Sequence, residues 1–423
     1  MKDLYKKVVR GILMSFARIR LKRLRLFMIG VTGSIGKTST KEAVSHILTK
    51  RYRVLRNEKS YNTDFGLPLA ILEQNSGFTS ASKWLSVLAG GMVKAFFGGR
   101  DLQMMVAEMG VDKPGDMDTL LRLIRPQVSV MTNIKPVHLN DQQFKDLDDI
   151  FDEKKKLVTT LPEKGIAILN ADDPYLASLR GKLVCRQIFY GMSDWADLRV
   201  TGIKNDFNGM EFGVSYKEQT ASGFVPLLGS FQIYVILPAL AVALTQGFEL
   251  QEAVDALRDF RLPAGRMSVI PGIKESVIID SSYNASPESV KQALDVLAGS
   301  PGRRIAVLGN MNELGEYSEA KHREIGRYAA SRADMIFTVG EHAKYMAEEA
   351  LKAGVKDFLV KHFDDAIYAG DELRKILKEG DIVLVKGSQN KVRLERLVKM
   401  VMRDPEKAKD LLVRQDAEWQ KIG

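Results

Sequence analysis

The stretch GVTGSIGKTSTKE at residues 30–42 decides the fold of this chain, because it joins a strand, a glycine-rich loop and a helix in that order. The largely apolar residues 27–31 predict the strand, and the glycines that follow permit a tight turn. The helix begins near Lys37, so backbone N–H groups, a helix N-terminus and one cation surround a single anion. This pattern predicts a bound nucleoside triphosphate, with Lys37 reaching its outer phosphates.

The predicted ATP contacts of this segment are consecutive residues of the loop and the first helical turn: Gly33, Ser34, Ile35, Gly36, Lys37, Thr38 and Ser39. The hydroxyl of Thr38 is the predicted ligand of the Mg²⁺ that accompanies the phosphates. The segment departs from the full G-x-x-x-x-G-K-[ST] pattern, because its leading glycine falls at Gly30 or Gly33. A glycine-rich turn without a ligand is the alternative, which the adjoining strand, lysine and helix disfavour.

Length and composition favour a multidomain enzyme. A chain of 423 residues exceeds one ordinary hydrophobic core, so two or three domains are expected. The single cysteine, Cys185, excludes a disulfide framework and favours a cytoplasmic location. No apolar run approaches the roughly 20 residues of a membrane-spanning helix. Residues 1–27 hold nine Lys or Arg against one acid, so most of the net charge of +9 belongs to this segment.

The N-terminal segment, residues 1–27, is predicted to be a basic amphipathic helix, because its apolar residues recur at helical spacing. Three interpretations compete. The helix packs on the body of the protein with its basic face in water, or it attaches peripherally to an anionic membrane at the inner face. Contact with nucleic acid is the least favoured, since no aromatic interleaving or nucleic-acid motif accompanies the charge, and we expect no nucleic-acid partner.

The remaining chain alternates strand and helix patterns, which predicts an α/β fold with parallel sheets covered by helices. Buried-strand patterns occur at 101–109 and 126–134, and four more follow a plausible hinge at 262–265. These four indicate a second α/β unit. In chain order, we predict a basic helix at residues 1–27, a central ATP-binding domain at 28–262, a C-terminal domain at 263–403 and a charged tail at 404–423.

Two polar residues at the ends of predicted strands are candidate metal ligands. Ligands of open α/β sheets collect beyond the carboxyl ends of the strands. Glu108 ends the strand at 101–109, where a carboxylate can hold Mg²⁺ directly or through water. A helix cap or a salt bridge is its alternative role. His138 follows the strand at 126–134 and is a candidate ligand for a second ion, although an isolated histidine is more often structural.

Read together, the motifs resemble the Mur ligase family, the ATP-dependent amide ligases of peptidoglycan precursor synthesis, and its MurF branch in particular. The resemblance covers about residues 28–400. It rests on segments that occur in the family's order: VTGSIGKTSTKE, YNTDFGLPLAIL, VAEMGVDKPGDM, VMTNIKPVHL, EKKKLV with ILNADD, LPAGRM, IIDSSYNASPESV, IAVLGNMNELGEYSEAKHREIG and IVLVKGSQNKVRLE. It implies a P-loop central ATPase domain with a parallel sheet, followed by a Rossmann-like C-terminal domain. It also implies ATP and two Mg²⁺ ions.

The resemblance implies roles for individual residues. Thr38 and Glu108 would hold one Mg²⁺, and His138 would help to hold a second. Lys154 matches a lysine that the family carbamylates, although the neighbouring Lys155 and Lys156 leave its register uncertain by one. A lysine on a charged helix face is the alternative. The catalytic set implied in this way is Lys37, His138, Lys154 and Arg266.

Further positions follow from the same resemblance. Arg266 would reach the γ-phosphate. The other implied nucleotide contacts are Asn133, Gln232, Asp280, Tyr283 and Asn284. The implied substrate contacts are Asn62, His322, Lys386 and Ser388.

The chain also departs from the family pattern. Only about 27 residues precede the nucleotide-binding strand, where MurF enzymes carry a domain that holds the UDP group, so we expect that domain to be absent. The segment GSFQIYVILPAL at 229–240 lacks the usual His-Asn pair, and Gln232 is the plausible polar replacement. Asp280 is followed by Ser281, where the family has a second aspartate.

Three functions therefore stay open. The first is D-alanyl-D-alanine addition to a muramoyl-peptide precursor. The second is a Mur-like ligase acting on another acceptor, such as a lipid-linked peptide, a polyglutamate or another cell-wall polymer. The third is a nucleotide-dependent scaffold at the membrane surface. The expected partners are a small-molecule or lipid-linked peptide precursor and an amino acid or dipeptide.

Overall fold

The computed structural model describes residues 2–57, 61–77, 80–136, 143–389, 392–416 and 419. The chain divides into two units. The first comprises residues 1–203, 212–224 and 233–260, and the second comprises residues 204–211, 225–232 and 261–423. Each unit has its own hydrophobic cores and is described separately.

The first unit contains most of a nine-stranded sheet with the order β2-β3-β1-β4-β5-β6-β7-β8-β9. In the described part of the chain its strands are β1 (Phe27–Thr32), β2 (Val54–Arg56), β3 (Met104–Glu108), β4 (Val128–Met131), β5 (Ile166–Asn170), β6 (Arg186–Gly191), β7 (Leu198–Asp206), β8 (Gly209–Tyr216) and β9 (Gln219–Val225). The helices of this unit are α1 (Lys2–Leu24), α2 (Lys37–Leu48), α3 (Gly66–Ile71), α4 (Ala81–Phe96), α5 (Asp116–Leu121), α6 (Leu147–Thr159), α7 (Pro174–Ala177), α8 (Ile233–Thr245) and α9 (Leu250–Asp255).

Strand β1 lies between β3 and β4, and all three run in parallel. β3 and β4 are buried along their whole length, as expected for a parallel sheet with both faces covered. Val31 is paired with Glu108 and Thr32 with Met131, so the three strands end side by side. This register places the loop after β1 between the last residue of β3 and the segment that follows β4.

The second unit has a six-stranded sheet with the order β10-β11-β15-β12-β13-β14, in which β10 is antiparallel to β11 and the other pairs are parallel. Its strands are β10 (Ser268–Pro271), β11 (Val277–Ser281), β12 (Arg304–Gly309), β13 (Met335–Val339), β14 (Val360–Phe363) and β15 (Ile382–Lys386). Its described helices are α10 (Pro287–Ala298), α11 (Ser318–Ala329), α12 (Lys344–Lys352), α13 (Ala366–Ile376), α14 (Glu395–Val401) and α15 (Ala408–Leu411). The predicted α/β fold with parallel-rich sheets is confirmed.

Some elements differ from the sequence-based expectation. The short edge strand β2 at residues 54–56 was not predicted. Strands β10 and β14 were not predicted, because each is short and lies at an edge of its sheet, where a continuous buried run is not required. Helix α4 was not predicted either, and it is apolar on its outer face as well as its inner face.

Helix α1 packs against α3 and α4 through Val9, Leu13, Ala17 and Leu21, which are buried. Of the three interpretations of this helix, the structure therefore has the one in which α1 packs on the body of the protein. The membrane alternative would need another apolar surface, since these residues already contact the protein. No helix in the described part of the chain has both the length and the hydrophobicity to cross a bilayer.

Arg20 is fully buried and fixes α1 to the end of α3. Its guanidinium donates hydrogen bonds to the carbonyl oxygen of Ile71 and to the carboxylate of Glu73. We expect Arg20→Ala to lower the free energy of unfolding by about 2–4 kcal/mol, because a buried carbonyl loses a charged donor and the side chain leaves a void. Urea denaturation measures this change. Lys22→Ala, at an exposed position of the same helix, is the matched control and should stay within about 0.5 kcal/mol. Equal stability of both variants would contradict the role of Arg20.

Candidate active site

The glycine loop is shaped by residues that follow β4. Gly33 has a φ of 145°, and a Cβ there would clash with the hydroxyl of Thr132. Gly36 has a φ of 86° at the position just before α2. The amide of Asn133 accepts from the backbone N–H of Ile35 at 2.9 Å and donates to its carbonyl oxygen at 3.0 Å. Asn133 therefore holds the predicted phosphate loop in place.

Lys37 lies across this loop at the N-terminus of α2. Its Nζ donates to the carbonyl oxygens of Gly33 at 2.9 Å and Ser34 at 3.1 Å. The hydroxyl of Ser34 contacts the backbone of Lys135, so the loop is also fixed from the far side. The ammonium group and the helix N-terminus thus lie on one short segment, as anion binding requires.

Glu108 ends β3 and is buried beside the first turn of α2. Its Oε2 accepts a hydrogen bond from the Thr38 hydroxyl at 2.8 Å, and its Oε1 accepts one from Nδ2 of Asn62 at 2.8 Å. Asn62 therefore contacts this carboxylate, and its predicted contact with substrate stays a prediction. The two predicted Mg²⁺ ligands Thr38 and Glu108 are therefore in direct contact.

Sequence reasoning missed Asn57, which orients Glu108 through its backbone. Its side chain accepts from the N–H of Glu108 at 2.9 Å and donates to the carbonyl oxygen of Glu108 at 3.2 Å. The carbonyl oxygen of Asn57 in turn accepts a hydrogen bond from the buried Lys41. The sequence around Asn57 is polar and does not indicate that this side chain is buried. Its partners, Glu108 and Lys41, come from other elements of the fold.

The residues present fit a hard divalent cation. Glu108 is 1% exposed, and no Lys or Arg in the described ranges forms an ion pair with it. A buried carboxylate that meets only neutral donors carries a charge that a cation would offset. Mg²⁺ takes oxygen ligands, often one or two from protein and the rest from phosphates and water. No cluster of three or more His, Cys, Asp or Glu that could hold a metal ion occurs among the described residues.

Lys154 on α6 is 1% exposed, whereas Lys155 and Lys156 on the same helix are partly exposed and pair with carboxylates. Burial and then the positive charge of Lys37 lower the pKa of Lys154 well below its usual range. The structure thus singles out Lys154 among the three adjacent lysines. A lysine with a lowered pKa has a neutral, nucleophilic amine that can react with carbon dioxide. His138 lies outside the described residues.

Glu153, next to Lys154, was not singled out by the sequence. It is 3% exposed, and its Oε1 accepts from the backbone N–H of Met117 at 2.7 Å in the first turn of α5. Its Oε2 pairs with Lys156 at 2.8 Å. These contacts fix the rotation of α6, so Lys154 and Glu153 both face the interior.

In the second unit, Arg266 stacks on Tyr283, with its guanidinium carbon 4.1 Å from the ring centroid. The carbonyl oxygen of Tyr283 accepts from Arg414 at 2.6 Å, and Arg414 also pairs with the buried Glu395 at 3.1 Å. Residue Met267 has a φ of 60°, a strained conformation for this side chain. Arg414 therefore holds the backbone of Tyr283, on which Arg266 stacks. The sequence predicted Arg414 to lie in a charged tail.

Asp280 and Lys386 are buried at the adjacent ends of β11 and β15. Nζ of Lys386 donates to the hydroxyl of Ser281 at 3.2 Å and to the carbonyl oxygen of Asn284 at 2.9 Å. Burial and then the charge of Arg266 lower the pKa of Lys386 to about 7. Burial raises the pKa of Asp280 to about 6. Both groups therefore titrate near neutral pH in the folded chain.

Lys386 should make stability depend on pH. Between pH 7 and 10.5 the unfolded chain holds a proton on this amine and the folded chain does not, so raising the pH favours folding. We expect the free energy of unfolding to rise across this window by an amount on the order of a few kcal/mol, at ~1.4 kcal/mol per pKa unit. Lys386→Met should reduce the rise measured by urea denaturation between pH 7 and 10.5, and the remainder belongs to the buried Lys154, whose pKa is also lowered. Lys399→Met, at an exposed lysine of the same unit, should keep the whole rise. An unchanged rise in Lys386→Met would refute the assignment.

His322 and Ser388, predicted substrate contacts, are both buried and engaged within the second unit. His322 accepts from the N–H of Met311 through Nε2 at 2.9 Å, and Nδ1 lies 2.6 Å from the carbonyl oxygen of Ser318. Burial lowers the pKa of His322 to about 4. The hydroxyl of Ser388 contacts Ala285. Both side chains position loops of the second unit, and their contacts with substrate stay predictions.

Two further residues, Gln232 and Asn284, were predicted to contact the nucleotide. Gln232 is buried in a 3₁₀ turn, with its N–H bonded to the carbonyl oxygen of Gly229 at 3.0 Å. The side chain of Asn284 is exposed, and its carbonyl oxygen accepts from Lys386. Their contacts with nucleotide stay predictions.

The parallel sheet, the phosphate loop and the second α/β unit define a P-loop nucleotide-binding protein. Residues 31–243 match the family described as the Mur ligase middle domain, and residues 265–389 match the one described as the Mur ligase, glutamate ligase domain. The chain belongs to the Mur ligase family.

The relatives and solved structures point to one branch. The chain is 29% identical over 396 residues to the UDP-N-acetylmuramoyl-tripeptide--D-alanyl-D-alanine ligase of Bacillus subtilis (strain 168), covering 93% of this chain and 79% of that protein. It is 28% identical to the enzyme of the same name from Escherichia coli (strain K12), covering 86% and 74%. The solved MurF ligase of Thermotoga maritima in complex with ADP has a TM-score of 0.76 and 26% identity, covering 94% of this chain and 84% of that one. The predicted MurF-like resemblance is confirmed, and the ADP complex supports the prediction of an adenine nucleotide.

Proposed function

We propose that this chain is an ATP-dependent acid–amino-acid ligase of the MurF type, which joins D-alanyl-D-alanine to a UDP-linked muramoyl tripeptide. The observation that carries the proposal is the buried Glu108–Thr38 pair at the phosphate loop, 2.8 Å apart, on the same unit as the buried Lys154. The names of the relatives supply the two substrates. Their MurF branch favours this reaction over ligation of a different acceptor.

Amide formation from a carboxylate requires activation, because a carboxylate resists attack by an amine at neutral pH. A carboxylate oxygen of the tripeptide attacks the γ-phosphorus of ATP, the bond to the bridging oxygen breaks, and ADP leaves. The amine of the dipeptide then attacks the acyl carbon of the acyl phosphate. Inorganic phosphate leaves with its electron pair, and the amine loses a proton.

Two anions must meet in the first step, so the protein has to offset their repulsion. Lys37 and the N–H groups at the start of α2 serve this role for the phosphates. Mg²⁺, when held by Thr38 and Glu108, would add positive charge at the same phosphates. Asn133 keeps the loop in the required shape through its two hydrogen bonds to Ile35. The contacts of Arg266, Asp280 and Tyr283 with nucleotide, the second Mg²⁺ and carbamylation of Lys154 stay predictions.

The test is phosphate release by the purified full chain with ATP, the UDP-muramoyl tripeptide and D-alanyl-D-alanine. We expect release only when all three are present, and a product whose mass equals the two substrates less one water. The matched control replaces the dipeptide by D-alanine. Release with a different carboxylate alone would assign another acceptor, and nucleotide binding without any release would indicate a scaffold.

A further inference from the structure

Helix α4 carries an apolar stripe on its outer face. Its inner residues Trp84, Val87 and Ala95 are buried. Four large apolar residues of α4, and Phe97 directly after it, are exposed to solvent. Their exposed fractions are 71% for Leu85, 49% for Met92, 53% for Val93, 48% for Phe96 and 69% for Phe97. Met92, Val93 and Phe96 follow Leu85 by seven, eight and eleven residues. At helical periodicity this spacing places all four on one side of α4. A contiguous exposed apolar surface of this kind marks an interaction site.

Helix α1 runs beside α4 in the same direction. Gly91 of α4 lies against the ring of Phe16, and further along Arg23 donates to the carbonyl oxygens of Lys94 and Ala95. The residues of α1 between these two contacts, including Arg18 and Lys22, therefore lie level with the C-terminal half of the α4 stripe.

The exposed side of α1 is basic, with apolar residues among the cations. Arg18 and Lys22 are exposed and form no ion pair with any residue that the structure describes. Val8 is 52% exposed and Ile19 37%. Helix α1 packs on α3 and α4 through its buried residues, such as Leu13, and the basic side therefore takes no part in this packing.

Acidic residues are absent from the sequence of both segments. No Asp or Glu occurs from residue 4 to 41 or from residue 74 to 100. Residues 1–27 carry a net charge of +8, and the rest of the chain about +1. The charge is therefore concentrated on the helix that borders the apolar stripe.

We propose that the outer faces of α1 and α4 form a docking surface for an anionic lipid bilayer. Helices with apolar side chains on the exposed face and adjacent Lys or Arg lie in the interfacial plane, where the apolar groups enter the acyl boundary and the cations contact anionic headgroups. A second copy of the chain is a poorer occupant, because self-association through this surface would bring two basic helices together. This docking goes beyond the proposed ligase reaction and does not depend on it.

The experiment is co-sedimentation of the full chain with vesicles made of equal amounts of phosphatidylcholine and phosphatidylglycerol, and with vesicles of phosphatidylcholine alone. We expect binding to the anionic vesicles that weakens at high ionic strength. Arg18→Gln with Lys22→Gln should weaken this binding about thirtyfold, or about 2 kcal/mol at roughly 1.4 kcal/mol per tenfold. Lys164→Gln with Lys182→Gln, two exposed lysines of the same unit, is the matched control and should bind like the unaltered chain.

The apolar stripe is tested with Leu85→Ser, Met92→Ser and Phe96→Ser combined, which should abolish sedimentation with anionic vesicles. Val184→Ser with Phe358→Ser, exposed apolar positions elsewhere, is its control. Nucleotide binding by each variant reports that it is folded. Equal binding to both vesicle types, no binding to either, or self-association that the stripe variant removes would each overturn the proposal.

Discussion

Lys154→Ala is expected to lower ligase turnover at least about 100-fold, whereas Lys155→Ala leaves it within about twofold of the unaltered chain. The two lysines are adjacent on α6 but differ in environment, because Lys154 is buried and Lys155 pairs with Asp152 at 2.6 Å in solvent. A loss confined to Lys154 would show that the buried position matters, and not the charge of the helix face.

The physical reason is the lowered pKa of Lys154. Desolvation and the charge of Lys37 disfavour the ammonium form, so the neutral amine is available at neutral pH. Attack of this amine on carbon dioxide forms an N–C bond and, after loss of a proton, a carbamate. The carbamate is an anion near Lys37, so a neutral amine is replaced by a group that the Lys37 ammonium attracts. That anion is the group we expect to organise the metal site.

Carbamylation makes two further results measurable. Turnover of the unaltered chain should fall in buffer depleted of carbon dioxide and return when bicarbonate is added. Formate or acetate should restore part of the activity of Lys154→Ala, because a small carboxylate can occupy the space that the side chain leaves. Lys154→Met, which keeps the volume, should be inactive and should not respond to either anion. Full activity of Lys154→Met would remove the carbamate from the mechanism.

The phosphate loop could be predicted from sequence because its determinants are local. The strand, the turn and the lysine lie within residues 27–39, and the conformations of Gly33 and Gly36 follow from that order. The acid at Glu108 could be predicted as well, since a strand that ends in a polar residue reaches the ligand edge of a parallel sheet. What the sequence could not supply was the pairing of Thr38 with Glu108, which depends on the strand order.

The residues that orient the site were not predictable, because their partners are distant in sequence. Asn57 holds the backbone of Glu108, and Arg414 holds the backbone of Tyr283 across 131 residues. Either residue alone looks like part of a polar or charged surface segment. The choice among the three lysines at 154–156 likewise depended on the rotation of α6, which is set by the contact of Glu153 with α5. Helix α4 lacks the one-sided polarity on which helix prediction relies, since both of its faces are apolar.

Lys37→Ala and Glu108→Gln are each expected to lower turnover about 10³-fold, although through different steps. Lys37 is the cation on the loop itself, so its loss removes charge that the transferring phosphoryl group needs, and the KM for ATP should rise together with the fall in kcat. Glu108→Gln keeps the size of the side chain but removes its negative charge. Gln presents an amide oxygen and an NH2 group where the carboxylate accepts from both Thr38 and Asn62, so the hydrogen bond with the Thr38 hydroxyl has to reverse its direction.

The Mg²⁺ dependence separates the two effects. Glu108→Gln should bind a fluorescent ATP analogue without Mg²⁺ as the unaltered chain does, but should need a higher Mg²⁺ concentration for half-maximal turnover, because a carboxylate ligand has become a neutral amide. Lys37→Ala should bind the analogue weakly at every Mg²⁺ concentration. Lys50→Ala, at an exposed residue just beyond the other end of α2, is the control and should behave as the unaltered chain. Acceptor-dependent ADP release at the normal rate in both Lys37→Ala and Glu108→Gln would exclude this loop as the site of phosphoryl transfer, because both the loop cation and the buried carboxylate that contacts Thr38 would then be dispensable.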